Sequence, residues 1–246
     1  VTTDADCSVP IKWLSLFDTY IQSSNTVFVA APVKFINTNS FISIFQSLDF
    51  ISLQGITAAS VSAGFHSMCN GANLAYSKNA FFAVDGFKGV DDIASGDDML
   101  LMHKIKQQYP SQIGYLFHPK AVVETLPITG WKSFINQRIR WASKARSYKD
   151  KRVFTVLLLV YFFNLCLLLL PLLSIFHAGL LVWWFYLLLA KTVCEMAFMY
   201  TVSKFFKEQK LLWWFPFMQP LHIIYTVVSG FLGNFGSYQW KGRTVK

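Results

Sequence analysis

VFTVLLLVYFFNLCLLLLPLLSIFHAGLLVWWFYLLLA, Val153 to Ala190, runs 38 residues without an Asp, Glu, Lys or Arg. One helix needs ~20 apolar residues to cross the hydrocarbon core of a bilayer, so the stretch is long enough for two. The spacing predicts spans over about 153–173 and about 180–202, turning between Ser174 and Gly179. A third apolar stretch, about 211–235, contains Pro216 and Pro220 and opens on Trp213, Trp214, Phe215 and Phe217. Aromatic rings favour the membrane interface, so residues 211–219 are expected to lie on the bilayer and the proline-broken remainder to dip in or cross. The composition agrees: 54% apolar and only 14% charged residues exclude an ordinary soluble or a disordered chain.

Basic residues collect where the apolar stretch begins. Residues 138–152 hold seven Lys/Arg against Asp150 alone, whereas residues 1–137 hold eight against ten Asp/Glu and residues 153–246 seven against Glu195 and Glu208. The formal charge of +9 is thus not spread over a face, and no nucleic-acid partner is expected. Cations that flank apolar helices mark the cytoplasmic side of a membrane. The reading is a multi-pass protein of a plasma or inner membrane, with its polar domain and its tail in the cytoplasm. Within the spans only Lys191 and Glu195 are charged, and at i, i+4 they neutralise each other, which suits a structural pair facing the bundle better than a transport site. Cys7, Cys69, Cys166 and Cys194 stand far apart, without histidines at metal-ligand spacing, which argues against disulfides and zinc. His66, His103, His118 and His222 are scattered and read as ordinary polar positions.

Residues before Val153 have an α/β texture. Residues 27–31, 113–117 and 121–125 read as strands, while residues 40–56 and 97–108 read as helices, the second ended by Pro110. Residues 131–148 mix Trp131, Phe134, Ile135 and Trp141 with cations, which suits an amphipathic helix on a membrane surface. The expected organisation is therefore an α/β domain over 1–129, an interface helix over 130–152 and a transmembrane region over 153–246.

Three motifs could carry chemistry. Asp4-Ala5-Asp6 follows a short Val-Thr-Thr lead and could aim one carboxylate at a divalent cation and the other at a sugar or ribose hydroxyl; it could equally be a solvated turn. Ser95-Gly96-Asp97-Asp98 precedes an apolar helix, where one acid or Ser95 could cap the helix. Two adjacent acids are less well explained so, and a crowded carboxylate can serve as a general base. In Gln137-Arg138-Ile139-Arg140-Trp141, Gln137, Arg140 and Trp141 fall on adjoining parts of one helical surface. There an arginine fork can grip a diphosphate and a tryptophan can face a sugar ring; the bland reading is a basic helix that grips lipid.

In this order, and followed by membrane spans, the motifs resemble those of the family-2 inverting glycosyltransferases, the group of cellulose, chitin and hyaluronan synthases. The resemblance runs along nearly the whole chain. Gly71-Ala72-Asn73 with Asp85-Gly86-Phe87 is similar to that family's acceptor segment ending in Gly-Gly-Phe, with Asp85 in place of the first glycine, and Trp240-Lys241-Gly242-Arg243 is similar to a carboxy-terminal motif of some members. The resemblance implies a GT-A (Rossmann-like) domain that begins here at the Asp-x-Asp motif, its nucleotide-binding half lying upstream, so that this piece alone should be inactive. It implies Mg²⁺ or Mn²⁺ on Asp4 and Asp6, and Asp98, with Asp97 beside it, as the base that activates an acceptor hydroxyl. Gln137, Arg140, Trp141, Gly71 and Asn73 would bind the diphosphate and the acceptor. The implied partners are a nucleotide-sugar donor, a saccharide or lipid acceptor and the bilayer. Against this enzyme stand a membrane-anchored scaffold, with aspartates as caps, and a small transporter.

Overall fold

Val29 and its neighbours show why the expected first strand forms: Phe28, Val29 and Ala30 are 0–2% exposed in the computed structural model, which describes residues 1–36, 38–64, 68–89, 96–144, 151–240 and 243–245. His66, Ser95, most of the basic run at 145–152 and Lys241-Gly242 lie outside the described residues. The chain divides into two compact units, Val1–Pro127 and Ile128–Lys246.

In the first unit, helix α1 (Trp13–Ser24) leads into strands β1 (Phe28–Ala30) and β2 (Val33–Phe35), then the long helix α2 (Phe41–Ser62). Strand β3 (Leu74–Tyr76), helices α3 (Lys78–Ala83) and α4 (Asp97–Gln108), and strands β4 (Ile113–Tyr115) and β5 (Val123–Thr125) complete it. β1 is central, antiparallel to β3 with Val29 opposite Ala75, and parallel to β4 with Val29 opposite Gly114. β2 and β5 form a separate parallel pair. The α/β texture is thus present, with three-residue strands and helices providing most of the packing.

α2 begins where Ser40 accepts a hydrogen bond from Ser43 N and extends six residues beyond the expected Ile56. By length and composition it could cross a membrane, yet 67% of its most apolar window is buried within the unit. Its polar residues share that burial. Gln54, 7% exposed, accepts from Val33 N at 3.1 Å and from the Tyr115 hydroxyl at 3.4 Å, which fastens the helix to β2 and β4. Such a helix is a core element, because an internal partner for each polar group is what a globular interior requires.

The second unit is helical: α5 (Trp131–Ala142), α6 (Lys151–Leu173), α7 (Gly179–Phe206) and α8 (Phe215–Phe235), followed by a short hairpin of β6 (Tyr238–Trp240) and β7 (Arg243–Val245). Most side chains of α6 and α7 are apolar and few are buried, which is consistent with helices that face lipid. Trp184 donates to the Leu167 carbonyl at 2.9 Å and ties the two together. Lys191 Nζ donates to both oxygens of Glu195 at 2.7 Å and to Gln219 Oε1 at 2.8 Å, while Gln219 Nε2 donates to Glu195 at 2.6 Å. The expected ion pair is therefore real, and it holds α7 to α8.

The third apolar stretch is not broken at its prolines. A 3₁₀ segment, Gln209–Trp214, runs into α8, which continues through Pro220. Pro216 sits in the first turn, where its missing N–H would have had no acceptor, so only Pro220 removes a bond. Glycines let α8 approach its neighbours. A Cβ at Gly230 would fall 2.7 Å from the Tyr161 ring, and one at Gly233 would fall 2.8 Å from Ala142 Cβ. Phe134 meets Tyr225 edge-on at 5.5 Å. Phe134 to Ala142 and Tyr225 to Gly233 are equal steps along their helices, so α5 and α8 run side by side in the same direction.

Candidate functional site

The Asp-x-Asp segment is a turn held at both ends. Thr2 N donates to the Leu74 carbonyl at 2.8 Å, which is the only strand-like pairing its Val-Thr-Thr lead makes among the described residues, and Ser8 exchanges two hydrogen bonds with Glu124. Between these bridges Cys7 N donates to the Asp4 carbonyl at 3.2 Å, leaving Asp4 and Asp6 exposed. Ligand atoms of Asp4, Asp6 and Cys7 lie within 4.8 Å of one another. Burial, then Asp6, then Asp97 hold the Asp4 carboxyl above its usual range.

Asp97 and Asp98 open α4. Its N-cap is Gly96, at φ +80°, which makes no side-chain cap bond, and both acids stand in the first turn, where they complement the helix dipole. The carboxylate of Asp98 turns inward. Its Oδ2 accepts from Gly71 N at 2.7 Å and its Oδ1 from Met99 N at 2.8 Å. Burial is the largest influence and raises the Asp98 pKa above the usual carboxylate value; the two N–H bonds oppose it, and Asp97 and Asp4 add to it. Asp97 itself is exposed. Cys69 stands in the same cluster, its thiol pushed well up by burial and then by Asp98 and Asp97. Motifs some ninety residues apart in sequence thus share one electrostatic neighbourhood.

Gly71 and Asn73 lie in a 3₁₀ turn, Gly71–Asn73, but they serve that neighbourhood from behind. The main chain of Gly71 is spent on Asp98 and on accepting from Thr2 Oγ1 at 3.0 Å. Asn73 is 0% exposed; both its amide hydrogens go to protein, to the Pro32 and Ala121 carbonyls at 2.8 Å, and its oxygen accepts from Trp13 Nε1 at 2.9 Å. The Asn73 side chain thus commits both its N–H groups to the protein. Asp85, the departure from Gly-Gly-Phe, has φ +55°. That left-handed conformation favours glycine but admits aspartate, and at Gly86, also at positive φ, an added Cβ would lie 2.5 Å from the Phe81 ring.

Gln137, Arg140 and Trp141 lie on α5, each half-buried. Sequence reading passed over Arg138, which is 4% exposed. Its guanidinium lies 4.6 Å from the Phe134 ring centre and 4.2 Å from that of Trp141, and it donates to Gln137 Oε1 at 3.1 Å. Arg138 therefore orders two of the three motif side chains. Its signal was available: aromatic residues at i−4 and i+3 lie on the same helical face.

The family model described as Glycosyl transferase family 21 matches residues 1–246. The chain belongs to that family. It is a glycosyltransferase, and the number is 21 rather than the 2 of the cellulose synthase group, so the aspartate and Gln-x-x-Arg-Trp patterns do not by themselves separate the two. No individual curated protein matches the chain.

In this family 21 glycosyltransferase the raised pKa of Asp98 has a consequence for stability. A folded state that holds a proton more tightly than the unfolded one is favoured at low pH, and the advantage is lost as pH rises from the unfolded value of ~3.9 through the folded one. Asp98→Asn carries no charge to bury. The melting temperature of Asp98→Asn minus that of the parent, measured in detergent from pH 4 to pH 7, is expected to become more positive as pH rises; a flat or falling difference would show that Asp98 is not held above its usual value.

Proposed function

We propose that the protein is a membrane-bound inverting glycosyltransferase that moves a sugar from a nucleotide-diphosphate donor to a saccharide or lipid acceptor. The observation that carries this is Asp98: a half-buried carboxylate held by two backbone N–H groups, with Asp4 and Asp97 close enough to raise its proton affinity. A base for an acceptor hydroxyl needs that combination of fixed position and raised pKa. Asp98 takes the hydroxyl proton as the acceptor oxygen bonds to the anomeric carbon. The bond from that carbon to the diphosphate breaks on the opposite face, its electron pair leaving with the nucleoside diphosphate, and the configuration inverts.

Mg²⁺ or Mn²⁺ fits the exposed carboxylates of Asp4 and Asp6, which are hard oxygen donors within reach of each other. Cys7 is a poor third ligand, because burial raises its thiol pKa and such cations prefer oxygen. When bound, the ion would neutralise charge on the departing diphosphate. In this reading Val1–Pro127 belongs to a GT-A domain with the mixed β3-β1-β4 sheet in its core, and α5 is the interface helix whose Gln137, Arg140 and Trp141 bind diphosphate and acceptor. Gly71 and Asn73 act from behind the site.

The protein belongs in a plasma or inner membrane with its catalytic domain toward the cytoplasm. α8 enters the bilayer beside α6 and α7, meeting Tyr161 and the Lys191–Glu195 pair, while its later turns run beside α5, whose Lys132, Arg138 and Arg140 make it a poor span, so that end of α8 and the tail stay on the cytoplasmic side. A reporter fused after residue 246 is expected to read cytoplasmic; an exported tail would overturn the placement of α8.

The scaffold alternative treats Arg138 and Arg140 as equivalent lipid-gripping charges, and the burial of Arg138 between two rings disfavours it. In full-length protein, Asp98→Asn is expected to lower transfer by roughly 10² to 10⁴ with donor binding kept. Arg140→Lys and Trp141→Ala should lose transfer while membrane association is unchanged, since lysine keeps charge but not the planar fork. Full activity in Asp98→Asn would remove it as the base, and a loss of membrane binding that accounts for the lost transfer would restore the scaffold.

A further inference from the structure

We infer that Asn73 is a positioning residue for the transfer reaction: it locks the Gly71–Asn73 turn, and through that turn it fixes the base Asp98 with respect to the Asp4–Asp6 segment. The inference rests on Asp98 being the base. Its ground is the crowding of connections onto three residues. Gly71 N donates to Asp98 Oδ2 at 2.7 Å, while the Gly71 carbonyl accepts from Thr2 Oγ1 at 3.0 Å. Thr2 N donates to Leu74 O at 2.8 Å, immediately after the turn. One short turn therefore grips the segment that carries Asp4 and Asp6 on one side and the base on the other.

A turn of this length has few bonds of its own. Asn73 N donates to the Asn70 carbonyl at 3.0 Å and Ala72 N to Asn70 Oδ1 at 3.0 Å. What fixes the turn in the unit is the Asn73 side chain, with three hydrogen bonds to residues 60, 41 and 48 positions away: Trp13 on α1, Pro32 after β1, and Ala121 before β5. Ala31 N adds a main-chain bond to the Asn73 carbonyl at 3.0 Å. No other side chain type supplies two donors and an acceptor in so compact a planar group except glutamine, which is one methylene longer.

Removing the side chain leaves buried carbonyls without donors, which they recover only by shifting. The shift is transmitted through Gly71 N to Asp98, which has no other long-range hydrogen bond among the described residues, whereas the Asp4–Asp6 segment keeps its second anchor, the paired bonds of Ser8 and Glu124, so donor binding changes less. A displacement on the order of 1 Å at a reacting group can cost about 10²-fold in rate. The prediction is a fall in kcat with little change in donor affinity.

The experiment uses the full-length enzyme and four variants, Asn73→Ala, Asn73→Asp, Trp13→Phe and Asp98→Asn. Trp13→Phe is the mild one: it deletes a single donor to Asn73 and keeps a ring that can pack edge-on against Phe17, whose centroid lies 6.0 Å from that of Trp13. Expected are a kcat loss of about 10²-fold for the Asn73 variants and a smaller loss for Trp13→Phe. KM for the donor should hold, with the mild variant melting within a few degrees of the parent. Placed in the Asp98→Asn background, Trp13→Phe should have no further effect on the residual transfer, because two changes acting through one group are not additive. Where the Asn73 variants fail to fold, Trp13→Phe and its double mutant decide. Unchanged kcat, a parallel collapse of kcat, donor KM and melting temperature in Trp13→Phe, or a further loss in the Asp98→Asn background would each overturn the positioning role. Full activity of Asp98→Asn alone would instead overturn the assignment of the base.

Discussion

A carboxylate drawn partly out of water must find hydrogen bonds in its place, and this constraint on half-buried Asp98 ties distant segments of the first unit together. Two backbone N–H groups meet it, Met99 from its own helix and Gly71 from a turn 27 residues earlier. The first is local and comes with the helix N-terminus. The second is not, so the turn that supplies it must be held, and Asn73 with Trp13, Pro32 and Ala121 does the holding. Even so, burial outweighs the two bonds and holds the carboxyl pKa above the usual value.

The second unit answers to a different solvent. In lipid, backbone groups have no water to turn to, and helices satisfy them internally; the polar side chains that remain must find each other. Lys191, Glu195 and Gln219 do so in a closed set of bonds that joins two helices. Close approach at Gly230 and Gly233 supplies the rest of the packing, as small residues commonly do between membrane helices.

Long elements and charge patterns were legible in the sequence; contacts between distant segments were not. The uncharged run from Val153 predicted both α6 and α7 to within a few residues, and the helix of Asp97 and Asp98 was read at its true ends. The end of α2 was missed because its apolar period fades into Thr57, Ala58, Ala59 and Ser60, which pack on the core or face outward without a hydrophobic stripe. All five strands of the first unit have three residues, but β1 sits in the unbroken apolar run at residues 27–31, whereas β2 follows Pro32 at once and carries Lys34 at its middle, and β3 follows the Gly71-Ala72-Asn73 turn. At the site Asp4, Asp6, Asp97 and Asp98 stood out in the sequence as paired acids, and Asn73 was linked to a ligand only through the family resemblance; its protein partners lie 41 to 60 residues away, and only the fold brings them together. Arg138 was overlooked for the opposite reason. Its rings are neighbours on its own helix, and attention to charge hid a packing role.

The central claim is that one carboxylate, Asp98, activates the acceptor for a single displacement. Stereochemistry tests it most directly. Full-length enzyme supplied with a nucleotide-sugar donor of known anomeric configuration should give a first product whose anomeric proton coupling, read by NMR before any mutarotation, shows the opposite configuration. Retention would contradict the account, since it requires either two displacements or attack on the same face as the leaving group, and neither is provided by a single base at Asp98.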